Sequence, residues 1–309
     1  RNYIYALNSK SNWQDSIFSL RDFMKINTDN LPLSGEFVGS AWAEVYRSYA
    51  QTIIDDGRRL LNVGITLKLK HAVAGGYANS QGVNYVPNLL ENGTGYSVTT
   101  GSLRYGYSKN FDAVNNSMSS KANRKAFLQK TYPGIGADFG IEYILIKNED
   151  DEEDNDNNYD SKIGVSIMDL GSNKYSYSAK SRFAIAGKEG VTDSLLENKF
   201  SSTTTADNFN DSLATISNSI VSPDGNFFIY QPTRLVINVD QHINQNLFIN
   251  AELTVPLVAL ASKNTFFIKD MNLLALTPRW ETKSLGIYFP LLLNTKGQVW
   301  LGGAFKAGP

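Results

Sequence analysis

The stretch Leu61-Asn-Val-Gly-Ile-Thr-Leu-Lys-Leu-Lys70 alternates without interruption between apolar residues and residues that are polar or glycine. Successive side chains of a β-strand point to opposite faces, whereas a helix needs apolar residues every three to four positions. The stretch therefore predicts a strand with one apolar and one polar face. The apolar face consists of Leu61, Val63, Ile65, Leu67 and Leu69, and the polar face includes Asn62, Thr66, Lys68 and Lys70.

The same period of two recurs along the chain. In Leu247–Val255, the apolar residues Leu247, Ile249 and Leu253 alternate with polar residues that include Asn250 and Glu252. This stretch exceeds the roughly 5–6 residues of a typical globular strand and approaches the roughly 9–11 residues of a tilted strand that crosses a membrane. Further alternating stretches are Ala41–Ile54, Thr94–Tyr107, Ala137–Leu145, Ile163–Leu170, Lys174–Phe183, Leu235–Val239, Leu273–Trp280, Leu285–Leu293 and Val299–Phe305.

The composition argues against several classes of protein. The 309 residues carry a formal net charge of −1, which lacks the basic footprint of a general nucleic-acid binder. There is no cysteine, which excludes a disulfide framework and thiolate metal ligands. The two histidines are His71 and His242, so few residues are available for a multi-histidine metal site or a Ser-His-Asp triad. No uninterrupted apolar run reaches the roughly 18 residues of a membrane-spanning helix. We expect no enzyme activity, no cofactor, no metal and no nucleic-acid partner.

The connections between these stretches come in two lengths. The short ones contain the Asn, Asp and Gly residues that hairpin turns require. Short turns on one rim and long loops on the other are typical of bacterial outer-membrane barrels. Helix-compatible spacing is expected at Asp15–Lys25, Ser119–Gln129 and Asp207–Ser217. The short connections are 55–58, 244–246, 281–284 and 294–297, and the long ones are 72–93, 108–133, 146–162, 184–233 and 257–271.

The segment Asn148–Asp160 concentrates eight acidic residues and four asparagines. Interspersed carboxylates and amides occur in calcium-binding loops, but the central Gly and closing Glu of an EF-hand are missing. The alternative is a solvated, flexible acidic loop. Eight charged residues are too costly to place in hydrocarbon, so we expect the segment to lie outside the membrane. We expect it on the same rim as the other long loops, opposite the turn at Asp55–Arg58.

These patterns predict an all-β fold, a transmembrane antiparallel β-barrel with short periplasmic turns and long extracellular loops. The apolar faces would meet lipid and the polar faces would line the lumen. A soluble β-sandwich has the same alternation and remains the alternative. Residues 1–36 are expected to form an N-terminal plug or first strand, and residues 37–309 the barrel. Aromatic residues expected in the interfacial girdles are Trp42, Tyr46, Tyr143, Trp280, Tyr288 and Trp300.

Several motifs, in their order along residues 37–309, resemble an outer-membrane β-barrel family of the Bacteroidota with unassigned function. That family is similar in architecture to the long-chain fatty-acid transporter (FadL-like) barrels. The resemblance implies about 14 strands, of which the sequence pattern locates about eleven, and it implies no catalytic motif. The motifs are Gly134-Ile-Gly-Ala-Asp-Phe-Gly140 with Ile141-Glu-Tyr143, Gly164-Val-Ser-Ile-Met-Asp-Leu-Gly171, Gln231-Pro-Thr-Arg-Leu235, Asn246-Leu-Phe-Ile-Asn-Ala251, Leu276-Thr-Pro-Arg-Trp-Glu281 and Gly302-Gly-Ala-Phe-Lys-Ala-Gly-Pro309.

The expected function follows from this architecture. The leading hypothesis is a structural or accessory barrel of the bacterial outer membrane, a subunit of a larger complex for secretion, barrel assembly or uptake. Its partners would be outer-membrane lipid, lipopolysaccharide and other outer-membrane or periplasmic proteins. The alternative is a transporter or channel for a hydrophobic small molecule such as a fatty acid. An enzyme is the third hypothesis, and it is disfavoured because neither histidine has a triad context.

Overall fold

A computed structural model describes residues 2–6, 19–26, 32–88, 95–115, 117–147, 159–186, 188–257, 265–268 and 270–308. These residues form an all-β structure with 17 strands, four α-helices and one 3-10 helix. The strands are β1 Asn2–Ala6, β2 Leu33–Asp55, β3 Arg59–Asn88, β4 Gly95–Tyr107, β5 Tyr132–Ile146, β6 Tyr159–Ser176, β7 Arg182–Ala186, β8 Ser217–Val221, β9 Asn226–Tyr230, β10 Arg234–Asn244, β11 Leu247–Pro256, β12 Thr265–Phe267, β13 Leu273–Glu281, β14 Leu285–Tyr288, β15 Leu291–Asn294, β16 Val299–Leu301 and β17 Ala304–Ala307. The α-helices are α1 Leu20–Ile26, α2 Ser120–Leu128, α3 Asp193–Phe200 and α4 Ala206–Ile216, and the 3-10 helix is Lys109–Ala113.

One antiparallel row of strands dominates the fold. It runs from β2 through β3, β5, β6, β10 and β11 to β13. Successive parts of β13 then pair with β14 and β15, which in turn pair with β17 and β16. Along the described residues, no hydrogen bonds join β2 at one edge to β16 and β17 at the other, so the sheet is not closed. Closure into a barrel remains a prediction.

The sheet divides at β3. Residues 59–72 of this strand pair with β5, and residues 76–88 pair with β4, which leads on to β7 and β8. Between the two partners, the carbonyl of Val73 accepts a hydrogen bond from Asn110 Nδ2, and the carbonyl of Gly75 accepts one from the backbone N–H of Ser108. Strand β6 also changes partners. Its residues 172–176 pair with β9, and β9 pairs in parallel with β12.

The two faces of the row differ in polarity and exposure. Lys68 and Lys70 are 7% and 3% exposed, whereas Leu67 and Leu69 between and beside them are 60% and 70% exposed. We call the face of Lys68 and Lys70 the charged face and that of Leu67 and Leu69 the apolar face. The alternation predicted for Leu61–Lys70 is therefore present, but the charged members are buried and the apolar members point outward. In a water-soluble sheet the hydrophobic effect produces the opposite arrangement.

Three of the four short turns lie at one end of the row, which we call the turn rim. Turns at 55–58, 244–246 and 281–284 lie there, because Arg59 is opposite Leu145, Gln241 is opposite Ser161 and Leu247 is opposite Trp280. The fourth short turn, at 294–297, lies at the other end.

The predicted position of the acidic segment Asn148–Asp160 was wrong. Ile146 pairs with Tyr159, and its backbone N–H donates to the carbonyl of Arg58 over 2.8 Å. The connection therefore leaves and re-enters the sheet at the turn rim, beside the short turns. Residues 148–158, and with them the question of calcium binding, lie outside the described residues. Strand register decides this position, because an antiparallel hairpin returns at the rim where its first strand ends.

Several element boundaries also differ from the predictions. The long connection expected at 72–93 is largely the continuation of β3, and that expected at 184–233 contains β8, β9 and two helices. The stretch Lys174–Phe183 is not one strand, because β6 ends at Ser176 and β7 starts at Arg182. The missed strands are short or lack alternation, so the period of two did not identify them. The helices predicted at Ser119–Gln129 and Asp207–Ser217 are confirmed as α2 and α4.

Four of the six predicted girdle aromatics lie on the charged face. Tyr46 is opposite Lys68, Tyr288 opposite Arg279 and Trp300 opposite Leu292, while the indole N–H of Trp42 donates to Glu44 on that face. Residues directly opposite each other in a ladder point to the same side, so the girdle prediction was wrong for these four. Tyr143 and Trp280 do lie on the apolar face.

Within the described residues, no helix is long and apolar enough to cross a membrane.

Candidate functional site

A network of buried and half-buried polar groups, which we call the ion-pair cluster, occupies the middle of the charged face. Lys68 Nζ lies 2.7 Å from Asp138 Oδ1 and 2.9 Å from Asp169 Oδ1. Arg234 Nη2 lies 3.3 Å from Asp169 Oδ2. Lys70 Nζ donates to Gln231 Oε1 over 2.8 Å. Isolated charges are costly to bury, so these groups depend on one another.

Glycines make room for the second lysine of this cluster. A Cβ atom at Gly136 would lie 2.8 Å from Lys70 Nζ, and one at Gly171 would lie 2.6 Å from it. Gly171 also has a positive φ of 138°, which L side chains rarely adopt. The ammonium group of Lys70 thus rests against backbone where other residues would place a side chain.

Asp169 fixes the geometry at a bulge between β5 and β6. It has a φ of 59°, and its backbone N–H donates to Asp138 Oδ1 over 2.7 Å. Its carbonyl accepts a hydrogen bond of 3.0 Å from the hydroxyl of Thr233. The left-handed backbone is uncommon outside glycine, although Asp tolerates it better than most residues. The bulge turns the Asp169 carboxylate toward Lys68 and Arg234.

Three sequence motifs therefore converge on one site. Gly136 and Asp138 come from the motif 134–140, Asp169 and Gly171 from 164–171, and Gln231, Thr233 and Arg234 from 231–235. Each motif supplies either a charged group or the space that this group occupies. The sequence alone gives these motifs only as a family resemblance, because their common partner, the Lys68–Lys70 pair, is distant in the chain.

A second network lies toward the turn rim and is called the rim cluster: Tyr159, Asp240, Arg279, Glu281 and Tyr288. Arg279 Nη1 lies 2.7 Å from Asp240 Oδ2, and its Nη2 donates to the Tyr159 hydroxyl over 2.6 Å. Arg279 Nε lies 3.1 Å from Glu281, which also accepts from the Tyr288 hydroxyl over 3.0 Å. The motif 276–281 supplies the arginine and the glutamate.

An aromatic core lies on the other side of the ion-pair cluster, away from the turn rim. The rings of Tyr77 and Phe266 stack with centroids 3.6 Å apart, and Tyr175 and Phe227 stack at 5.4 Å. Tyr77 and Tyr177 also share a hydroxyl–hydroxyl hydrogen bond of 3.2 Å. These residues belong to one buried cluster with Val38, Ala72, Ile229 and Ile268. Along the charged face, the rim cluster, the ion-pair cluster and the aromatic core thus follow one another from the turn rim toward the other end.

The polar-face residues predicted from sequence divide between two places. Lys68 and Lys70 belong to the ion-pair cluster. Asn62 and Thr66 line a cavity of 430 Å³ together with Asp138 and Glu142. In it, Asn62 Nδ2 donates to Glu142 Oε1 over 3.1 Å. The cavity reaches Asp138, so the ion-pair cluster forms part of its wall.

The other predicted positions lie on β11 or on the apolar face. Asn250 pairs through its side-chain amide with Asn238, with N–O distances of 3.2 and 3.4 Å. Glu252 lies beside it and makes no ion pair with the residues that the structure describes. The predicted lipid-facing residues are exposed at Leu67, Leu69, Leu247, Ile249 and Leu253 and half-buried at Leu61, Val63 and Ile65. Contact with lipid remains a prediction for all of them.

A helix-covered pocket of 610 Å³ lies apart from the charged face, between the β4–β7–β8 layer and the helices α1, α3 and α4. Its wall is almost entirely hydrocarbon, with serine hydroxyls as its polar groups. Small-molecule sites typically occupy roughly 300–1,000 Å³ and are mostly apolar. Lining residues include Phe23, Met24, Val98, Leu103, Phe200, Phe209, Leu213 and Ile216.

An ion pair closes this helical layer. Arg21 Nε on α1 lies 2.6 Å from Asp193 Oδ2 at the start of α3, and the Asp193 side chain is 1% exposed. Burial alone would raise the pKa of Asp193. The hydrogen bonds from Arg21 and from the backbone N–H groups of Ser194 and Tyr96 outweigh burial, so the pKa is lowered. The carboxylate thus joins two helices and a strand as long as it is ionised.

Comparison with known proteins gives one match. A family model described as a family of unknown function, DUF5723, matches residues 5–309. No curated protein and no solved structure matches the chain. The described residues contain no cluster of three or more His, Cys, Asp or Glu side chains suited to a metal ion.

Proposed function

We propose, on the premise that this chain belongs to the DUF5723 family of unknown function, that it is a structural or accessory β-barrel of the bacterial outer membrane with a filled interior. The observation that supports this function best is the inverted polarity of the sheet. Lys68 and Lys70 are buried while Leu67 and Leu69 are exposed. Lipid as the outer solvent explains this arrangement, since apolar side chains then face hydrocarbon and charges avoid it.

The apolar face continues from strand to strand along the row. Ile135, Phe139 and Ile141 on β5 are exposed, and so are Ile163, Val165 and Ile167 on β6. Farther along, Ile249, Trp280, Ile287, Leu301 and Phe305 belong to the same face. Soluble monomers rarely expose an apolar patch of more than a few hundred Å². We call this surface the apolar belt.

The filled interior favours an accessory role over that of an open pore. In porins a polar lumen holds a water-filled channel. Here the rim cluster, the ion-pair cluster and the aromatic core succeed one another along the charged face. A filled interior leaves no continuous water-filled channel of the porin type, and we infer that this barrel is a subunit of a larger envelope complex.

A membrane position also requires partners for the free strand edge. Residues 40–55 of β2 pair only with β3 among the described residues. Unpaired backbone groups in hydrocarbon cost several kcal/mol each. β2 and the β16–β17 strand both run toward the turn rim, so antiparallel closure needs an odd number of further strands between them. The proposal therefore includes at least one strand that runs away from the turn rim and covers this edge.

The insertion test uses the absence of cysteine in the chain. Single cysteines at Ile141 on the apolar belt and at Glu252 on the charged face would carry an environment-sensitive fluorophore in protein refolded into vesicles. We expect lipid-borne quenchers to reach the label at 141 and not the label at 252. Equal quenching at both sites, or none at 141, would reject the membrane barrel.

The accessory role needs two further measurements. We expect no steady conductance in planar bilayers from the wild type, and conductance from a Tyr77→Ala, Phe227→Ala double variant that empties the aromatic core. Affinity purification of the intact protein from outer membranes should retain defined envelope proteins in constant ratio. A large wild-type conductance, or purification as an isolated barrel, would contradict the accessory role.

The helix-covered pocket supports a second candidate, a transporter for a hydrophobic small molecule. Its volume of 610 Å³ and its hydrocarbon wall suit a ligand with a long apolar part. We expect Ala184→Trp, which fills the pocket, to abolish binding of a fluorescent fatty acid, and Ala251→Trp on the apolar belt to leave binding unchanged. Absence of saturable binding to the wild type would reject this candidate and leave the accessory role.

A further inference from the structure

The segment 108–131 leaves the sheet at the margin of the apolar belt. Ser108 and Asn110 bond to the carbonyls of Gly75 and Val73, where β3 changes partners. At its other end, Thr131 hydrogen-bonds to the exposed His71, which is on the same face as Leu69. Ile135 and Leu69, 75% and 70% exposed, are the last large residues of the belt before this level. Helix α2 therefore lies where the belt ends.

Helix α2 has a packed side and an outward side. Asn123 accepts a hydrogen bond of 2.8 Å from the backbone N–H of Asn115, and the Phe127 ring meets Phe111 edge-on at 5.3 Å. The outward side has residues at the spacing i, i+3, i+4 and i+7, all exposed. These residues are Lys121, Arg124, Lys125 and Leu128.

The outward side combines cations with exposed hydrocarbon. Lys121, Arg124 and Lys125 make no ion pair with the described part of the chain. Leu128 is 48% exposed, and Met118 just before the helix is 46% exposed. The helix also contains no acidic residue to offset its charge. Basic helices with exposed apolar residues commonly lie at the surface of anionic membranes.

We propose that α2 binds the phosphate-bearing headgroups of anionic membrane lipids at the margin of the apolar belt. Lys121, Arg124 and Lys125 contact the phosphates, and Leu128 enters the region between headgroups and acyl chains. This inference rests on the proposed membrane position of the barrel. An acidic protein would also attract the three cations, but the adjacent belt and the exposed leucine favour a lipid surface, and lipid is the partner to which we commit.

The experiment uses a single cysteine at Leu128 with an environment-sensitive fluorophore, in the full chain refolded into vesicles. Phosphatidylcholine vesicles with and without phosphatidylglycerol are compared, and a lipid-borne quencher reports depth. We expect phosphatidylglycerol to increase quenching severalfold. The triple variant Lys121→Gln, Arg124→Gln, Lys125→Gln should remove that increase. The matched control Lys25→Gln, Arg58→Gln, Lys296→Gln removes three exposed cations elsewhere and should keep it.

A label at Ile141 on the belt, read in parallel, distinguishes this inference from the membrane barrel itself. The lipid-binding role of α2 is wrong, and the barrel stands, if the label at position 141 is quenched and the label at position 128 is not. The conclusion is the same if quenching at position 128 does not differ between neutral and anionic lipid. The same holds if both triple variants lose the increase equally. If 141 is not quenched, the membrane position fails, and this inference fails with it.

Discussion

The carboxylate of Asp138 accepts a hydrogen bond of 2.7 Å from the backbone N–H of Asp169, and both carboxylates contact the ammonium group of Lys68. One cation thus holds two aspartates from neighbouring strands. Because the Asp169 backbone is bulged, its side chain reaches the same buried cation instead of the strand's opposite face. Lys68 on β3, Asp138 on β5 and the bulged Asp169 on β6 therefore form a single structural unit.

Loss of the shared cation should destabilise the folded protein. Lys68→Met leaves the two half-buried carboxylates of Asp138 and Asp169 without their common partner, and removal of one partner of a fully buried pair costs about 3–5 kcal/mol, which is the upper bound here. The control Lys306→Met breaks the pair with Glu281, in which the lysine side chain is 41% exposed, and should cost about 1 kcal/mol or less. Urea unfolding in vesicles, followed by tryptophan fluorescence, measures both. Similar losses for the two variants would contradict the role of the ion-pair cluster.

Alanine at Gly136 or Gly171, the glycines beside Lys70, should cost more stability than alanine at a glycine with free space beside it. In Gly171→Ala, the new Cβ would lie 2.6 Å from Lys70 Nζ and 2.7 Å from the carbonyl of Ile135, at a strained φ. We expect a loss of about 2 kcal/mol or more, since strained backbone alone costs about 1–3 kcal/mol. Gly140→Ala is the control, because its nearest atom is 3.5 Å away. If both variants unfold at the same urea concentration, the space around Lys70 is not required.

The helical layer should loosen in acid. The folded-state pKa of Asp193 is lowered, so its contribution to stability is complete above the unfolded value of about 3.9 and is lost as the pH falls through the lower folded value. Hydrogen exchange of the α1 and α3 amides should accelerate in this window. In Asp193→Asn, exchange should already be faster at neutral pH and should lack this step. A step of equal size in the variant would assign the acid effect to another group.

In the proposed membrane barrel, the acidic segment should be accessible from the same side of the membrane as the turn rim. Single cysteines at Asp56, Glu152 and Lys296 test this in oriented outer membranes with an impermeant thiol reagent. Because the connection 147–158 joins β5 to β6 at the turn rim, labels at 56 and 152 should appear together, and the label at 296 should appear from the other side. Reaction of 152 together with 296 would show that the register of β5 and β6 differs in the membrane.

The sequence by itself determined the all-β character and the separation of the two faces. Alternation in Leu61–Lys70 and Leu247–Val255 is local information, since the side-chain period of a strand follows from its own backbone. Capping and spacing are likewise local, so α2 and α4 were predictable within a residue or two. The sequence also displayed the motifs 134–140, 164–171 and 231–235, although it gave no reason for them.

Only the tertiary structure decided what those motifs do and on which rim the loops lie. Lys70 contacts Gln231 across 161 positions in the chain, and a Cβ atom at Gly171 would lie 2.6 Å from Lys70 Nζ. Strand pairing placed the acidic connection at the turn rim and turned Tyr46 and Trp300 to the charged face. Register and bulges set these relationships, and a shift by one residue reverses every side chain of a strand. That information lies in contacts between distant segments, so the local pattern of each strand does not contain it.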